Sequence, residues 1–149
     1  MDIIFDKPIS QEKLKQFLIE VLPCEDAFLI YDGINGWENA PNTLPIMHYQ
    51  VNEDIPTTLK YGLSVYVSQK NDMALILNWT QKISKHFKCS AMCDASGLLL
   101  NTKSNYYALL FSSDQAFLVD DSAYEESGEV IKIIKLNEPL LNDFFNYDK

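Results

Sequence analysis

Three side chains that can ligate a metal or act as nucleophiles lie close together near the middle of the chain. His86, Cys89 and Cys93 form the pattern H-x2-C-x3-C. A structural zinc site needs about four ligands in recognisable pairs, and the sequence provides no second pair. Cys89 and Cys93 also fall on alternate positions, as same-face residues of a buried strand do. Because free cysteine is among the most buried residue types, we interpret the cluster as core and predict no metal and no other cofactor.

Nucleophilic catalysis is the second chemistry that these residues suggest. A cysteine or serine nucleophile needs a base and an orienting group, and His48 and His86 are the only histidines. The chain contains no G-x-S-x-G elbow, no G-x-G-x-x-G and no P-loop. The sequence therefore predicts no catalytic residue and no enzyme. The alternative is a small enzyme or ligand-binding domain with a site of scattered residues, for which the candidates are His48, Tyr49, Tyr66 and Asp32.

The charge of the chain constrains its partners. The formal net charge is −9, from 21 acidic against 12 basic residues, and every basic residue is lysine. A nucleic-acid binder needs a basic face, so nucleic acid is not a predicted partner. An acidic surface favours a basic protein partner or serves solubility alone.

Most of the local charge lies in one segment. No lysine occurs between Asp114 and Lys132, whereas five acidic residues and one tyrosine do. Such a patch speeds association with a basic partner, and an aromatic residue within it can act as an anchor. A second candidate is a loop rich in glycine and asparagine that carries a tryptophan. The predicted partner-binding residues are Asp120, Asp121, Tyr124, Glu125, Glu126, Glu129, Asp32 and Trp37. The alternatives are a solvated acidic loop and a tryptophan ring folded back onto the core.

Two amphipathic helices and several strands must position these residues. The first helix follows an N-cap at Ser10 and ends at Pro23. The second carries one apolar stripe, formed by Ile76, Trp79, Ile83 and Phe87. Composition and alternation predict strands at residues 3–5, 27–31, 46–51, 59–67, 89–94, 106–111, 115–119 and 130–136. In the last of these, Val130, Lys132 and Ile134 alternate, and residues 140–145 are predicted to form a short C-terminal helix.

This order of elements predicts an α+β fold in which two main helices pack on one face of a mostly antiparallel sheet. Residues 1–149 are predicted to form a single domain. The N-terminal sequence does not resemble a signal peptide, and no apolar run approaches the ~20 residues of a membrane span. Three cysteines, including Cys24, fit reduced thiols, so we predict a cytoplasmic protein without a membrane partner.

The layout resembles that of small bacterial immunity proteins of contact-dependent and polymorphic toxin systems. The resemblance is carried by DIIFDKPISQEKLKQFLIEVL, by GLSVYVSQKNDMALILNWTQKISKHFKCSAMCD and by the closing YYALLFSSDQAFLVDDSAYEESGEV. The segment LPCEDAFLIYDGING is similar to part of the SUKH immunity superfamily.

The resemblance implies a protein without catalysis of its own. Such a protein forms a heterodimer with a cognate toxin domain, a nuclease or another toxic activity, and masks its active site or an adjacent surface. Nuclease toxins bind polyanions and are often basic, which agrees with the acidic charge of this chain. An acidic secretion chaperone or adaptor is the remaining alternative.

Overall fold

The computed structural model describes residues 2–21, 46–66, 73–95, 106–138 and 141–142. In chain order the elements are β1 (Asp2–Phe5), α1 (Gln11–Val21), β2 (Ile46–Val51), β3 (Tyr61–Tyr66), α2 (Met73–Phe87), β4 (Ala91–Asp94), β5 (Tyr107–Ser112), β6 (Gln115–Asp120), α3 (Tyr124–Ser127) and β7 (Ile131–Leu136). The predicted strand at 27–31, most of the predicted helix at 140–145, and Cys24, Asp32 and Trp37 lie outside the described residues.

The seven strands form one sheet in the order β2-β3-β1-β4-β5-β6-β7. Each neighbouring pair is antiparallel. The predicted α+β fold, mostly sheet with helices packed on it, is thereby confirmed. β1 lies in the interior of the sheet, between β3 and β4. Its Ile3 and Phe5 side chains are fully buried because strands flank β1 on both sides and helices cover this face.

Both long helices cover the same face of the sheet, as the sequence predicted. Leu14, Phe17 and Leu18 of α1 join the buried stripe of α2 in one cluster with the strands. Trp79 of this stripe is the largest fully buried side chain in the described ranges. None of the helices in those ranges combines the length and the apolar character that crossing a membrane requires.

The start of β4 differs from the prediction by two residues. Lys88 has a left-handed φ of 51°, which stops the helix after Phe87. The buried Ser84 hydroxyl lies 2.7 Å from the Cys89 carbonyl oxygen and 3.2 Å from the Phe111 carbonyl oxygen. The Cys89 amide in turn donates to the Ser84 carbonyl at 3.1 Å. Cys89 is therefore still part of the helix cap, and β4 begins at Ala91 rather than at residue 89.

β5 and β6 form a hairpin with a tight turn. Ser112 pairs with Gln115, which leaves Ser113 and Asp114 as the two turn residues. Both have left-handed backbone angles, with φ of 50° and 61°. Two-residue hairpin turns of this hand match the twist of the strands they join.

The opposite face of the sheet has a smaller core of its own. Met92, Ala108, Leu110 and Val119 project from the strands on this side. They are covered by Ile55 and Leu59 of the β2–β3 connection and by Tyr124 of α3. The prediction of a strand over residues 59–67 was thus too long at its start, because Leu59 covers this second face and β3 begins at Tyr61.

Candidate functional site

Tyr124 fixes the acidic segment onto the second face of the sheet. Its side chain is only 8% exposed, and its hydroxyl donates a hydrogen bond to the Leu59 carbonyl oxygen. Little of the Tyr124 side chain is therefore left to contact a partner, and its predicted role as an anchor stays a prediction. The acidic segment is also not a plain solvated loop, because it contains the short helix α3. Tyr124 acts by positioning its acidic neighbours.

Gly128 caps the C-terminal end of α3. It has a φ of +71°, and its amide donates to the Tyr124 carbonyl oxygen at 2.8 Å. A Cβ at this position would lie 2.5 Å from the Thr57 Cβ. Only glycine satisfies both the left-handed angle and this close approach. α3 is consequently held against the same connection that carries Leu59.

A hollow of about 540 Å³ lies beside α3 on this face. Its apolar lining includes Ile4, Met92 and Ala108, which belong to three neighbouring strands. Four carboxylates and one exposed tyrosine line it as well: Asp94, Asp121, Glu125, Glu126 and Tyr106. We call this hollow, with these five polar residues, the acidic groove.

A second hollow of about 450 Å³ adjoins the acidic groove and shares Ile4, Tyr124 and Glu125 with it. Its own charges are mixed, because Lys60 lines it together with Asp54. The Lys60 amine lies 2.9 Å from the Glu53 carboxylate, and this hydrogen bond raises the pKa of Lys60. The acidic groove is therefore the more negative of the two hollows.

Two adjacent aspartates at the edge of the acidic groove have pKa values that are shifted in opposite directions. Burial raises the pKa of the Asp121 carboxyl, and the charges of Asp94, Asp120 and Glu125 raise it further. Hydrogen bonds from Ser122 lower the pKa of Asp120 instead; the Ser122 amide lies 2.8 Å from Asp120 Oδ1. Asp121 thus carries an unfavourable negative charge that a bound cation would relieve.

We expect the variants Asp121→Asn and Asp120→Asn to change stability in opposite directions. A raised pKa means that ionised Asp121 destabilises the folded state above that pKa, and the cost disappears as pH falls toward the ordinary aspartate value of about 3.9. Asp121→Asn should therefore stabilise the protein at neutral pH but not in acid. The lowered pKa of Asp120 stabilises the fold above about 3.9, so Asp120→Asn should destabilise it at neutral pH.

Urea unfolding of both variants and the wild type at neutral and acidic pH measures these differences. The changes should be modest, as for most surface substitutions. A loss of stability for Asp121→Asn at neutral pH would contradict the electrostatic description of the groove.

The structure brings together part of the predicted partner-binding set. Asp121, Glu125 and Glu126 line the acidic groove, and Glu129 is exposed but does not line it. Asp120 is directed to Ser122 at the end of β6. Asp32 and Trp37 lie outside the described residues.

Sequence reasoning missed two residues of the acidic groove, Asp94 and Tyr106. Asp94 ends β4 and pairs with Ala108 in the neighbouring strand. Tyr106 precedes β5, and its carbonyl oxygen accepts a hydrogen bond from the Asp121 amide at 3.0 Å. Their proximity to Asp121 depends on the strand order. No spacing in the sequence signals it.

The central histidine and cysteines do not form a site with one another. Cys89 and Cys93 are buried in the helix-side core, which confirms their predicted role. Burial raises their thiol pKa values to about 11 and about 12, so both are protonated at neutral pH. The prediction that His86 also belongs to the core is wrong, because His86 is exposed, with its ring centroid 5.1 Å from that of Phe17. Within the described ranges, no three His, Cys, Asp or Glu side chains are grouped so that they could hold a metal ion.

Comparison of the chain with protein-family models, with curated proteins and with solved structures finds no match. Function therefore has to follow from the geometry and charge of the molecule itself.

Proposed function

We propose that this protein is an immunity protein, a non-catalytic inhibitor that binds a cognate bacterial toxin domain and masks its active site or an adjacent surface. The observation that supports this role most directly is the acidic groove. It places four carboxylates around one hollow, with the 56% exposed Tyr106 among them. The sequence resemblance to immunity proteins points in the same direction.

The acidic groove suits the side chains of a basic partner. A lysine or arginine entering it would pair with the Asp121 carboxylate, whose pKa is raised by burial and then by the neighbouring negative charges. The apolar lining from Ile4 and Met92 would contact the aliphatic part of that side chain. Tyr106 is the kind of exposed aromatic residue that forms an energetic centre in protein interfaces.

The groove is also held in shape before a partner arrives. Tyr124 and Gly128 fix α3 on the sheet, so Glu125 and Glu126 are presented from a constrained helix. Preorganisation lowers the entropy that binding must overcome. A preformed acidic surface can therefore bind fast and tightly.

A nuclease toxin is the partner class that best fits this charge. Its active site must attract polyanionic nucleic acid and so presents basic side chains. An acidic groove in a chain of net charge −9 competes for those side chains. The complex would be a heterodimer formed in the cytoplasm.

A second candidate function follows from the size of the hollow. About 540 Å³ is within the range of pockets for small ligands. The four carboxylates would then select a small organic cation. Binding of such a compound in the absence of any protein partner would favour this function over the first.

The decisive experiment measures binding to the product of the adjacent upstream gene, where the cognate toxin domain is expected. The triple variant Asp121→Lys/Glu125→Lys/Glu126→Lys should lose about 100-fold in affinity by calorimetry, because like charges would face the partner. The dependence of affinity on salt concentration should also become much weaker.

A matched control is the triple variant Glu12→Lys/Glu20→Lys/Glu138→Lys. It changes the net charge by the same amount at exposed positions that do not line the acidic groove. Its affinity should stay within a few fold of the wild type, since only long-range attraction changes. Equal losses in both triples would show that net charge matters and the groove does not. The absence of any complex with the toxin domain would overturn the proposed function.

A further inference from the structure

The edge of the sheet at β7 has an unusual surface. Among the described strands β7 pairs only with β6, and of its six residues only Leu136 is buried. Ile131, Ile133 and Ile134 are 58%, 45% and 49% exposed. An edge strand presents unpaired backbone donors and acceptors, which can accept a further strand.

The pairing of β7 with β6 places the apolar side chains and the lysines of β7 on opposite faces of the sheet. Ile134 and Leu136 lie opposite Leu118 and Ala116 of the helix-side core, so they point to the helix side. Lys132 and Lys135 lie on the second face.

Two further observations support this assignment. Lys132 pairs with Val119 and Lys135 with Phe117, and the Lys132 amine lies 4.1 Å from the centroid of the Phe117 ring. A register shift between Leu118 and Val119 leaves Ile133 unpaired. The edge thus has isoleucines toward one face and lysines toward the other.

A second copy of this chain is a poor occupant for that edge. In an antiparallel pair around a two-fold axis, opposing residues point to the same face of the continued sheet. If the whole of β7 paired with the same strand of a second copy, Lys132 of each copy would lie opposite Lys135 of the other. The pair of strands would therefore contain two such lysine–lysine contacts. Like charges directly opposite destabilise a strand pair, and edge lysines are a common device against self-association.

We propose that the β7 edge is a docking site for an extended segment of a partner protein in which acidic and apolar side chains alternate. The segment would add to the sheet by backbone hydrogen bonds, the usual mode of strand addition. Its acidic side chains would face Lys132 and Lys135. Its apolar side chains would lie beside Ile131 and Ile134.

This site is separate from the acidic groove. The groove is lined by β1, β4 and β5, whereas β7 lies at the edge of the sheet, beyond β6. The two surfaces also select opposite charges. The β7 proposal therefore stands or falls independently of the toxin-binding proposal.

A short peptide of alternating glutamate and valine is the probe, and the same peptide with lysine in place of glutamate is its control. The full chain should bind the glutamate peptide about tenfold more tightly, since two cross-strand charge pairs change sign. The variant Lys132→Glu/Lys135→Glu should reverse this preference. Hydrogen exchange should slow at the backbone amides of Ile131–Leu136 when the glutamate peptide is bound.

The variant Lys82→Glu/Lys85→Glu is the matched control, because it makes the same change in net charge on the exposed side of α2. It should keep the preference for the glutamate peptide. Failure of both peptides to bind, or an unchanged preference in Lys132→Glu/Lys135→Glu, would overturn the proposal. So would self-association of the wild type through β7 in sedimentation experiments, because the occupant would then be a second copy.

Discussion

Replacing Trp79 with alanine is expected to lower the free energy of unfolding by about 3–5 kcal/mol. Trp79 is 1% exposed and packs from α2 into the cluster that joins both long helices to the sheet. Alanine would remove most of the indole contacts and leave a cavity that a rigid sheet fills only in part. This is the largest single loss that we expect from a side-chain truncation in the described residues.

Urea unfolding followed by far-UV circular dichroism measures the loss, because the remaining tryptophan, Trp37, would complicate a fluorescence signal. Lys82→Ala is the control, since Lys82 lies on the exposed side of the same helix. It should change stability by no more than about 0.5 kcal/mol. Similar effects of the two substitutions would mean that α2 does not pack on the sheet through the stripe that contains Trp79.

Truncation of Tyr124 to alanine is expected to lower the free energy of unfolding by about 3 kcal/mol, because the ring covers much of the core on the second face of the sheet. Tyr124→Phe should lower the free energy of unfolding by less, about 1–3 kcal/mol. The ring stays in place, and only the hydrogen bond from the hydroxyl to the Leu59 carbonyl oxygen is lost. Unlike Trp79→Ala, both changes should also weaken binding to the proposed basic partner. The reason is that Glu125 and Glu126 depend on this anchor for their position on α3.

Tyr106→Ala provides the comparison that separates anchoring from contact. Tyr106 lines the same groove but is 56% exposed, so its removal should cost less than half as much stability as Tyr124→Ala. It should still reduce affinity for the partner, because an exposed aromatic contact is lost. If the two tyrosines gave equal stability losses, Tyr124 would not be sealing the second face.

The helix-side half of the fold could be predicted because its signals are local. The 3.6-residue period of α2 and the N-cap at Ser10 are set by neighbours in the sequence. The β5–β6 hairpin likewise depends on Ser113 and Asp114 alone for its turn. For these elements, tertiary packing reinforced what the local pattern already favoured.

The second face could not be predicted because it depends on contacts between distant residues. Tyr124 bonds to Leu59, which lies 65 positions away, and a tyrosine within a polar, acidic stretch suggests exposure. The alternation of Val130, Lys132 and Ile134 was misleading for a similar reason. The register shift at Ile133 places Lys132 and Ile134 on opposite faces, and a bulge leaves no reliable mark in an alternating sequence.

Only some of the residues that line the acidic groove could be predicted from the sequence. A count of charges finds Asp121, Glu125 and Glu126, because the acidic segment stands out in composition. Asp94 and Tyr106 join them only because β4 and β5 are neighbours in the sheet. Strand order therefore determines which acidic residues act together, and composition alone does not reveal it.

The place of β1 within the sheet has a consequence for how the chain matures during translation. β1 precedes both of its partners, and Asp6 accepts a hydrogen bond from Ser90, which is 84 positions later. At ribosomal rates those residues emerge roughly 4 to 17 seconds apart. A fold with such high contact order closes late and slowly. The nascent chain would therefore display an incomplete sheet for that interval, so the complete fold would lag behind the start of its synthesis.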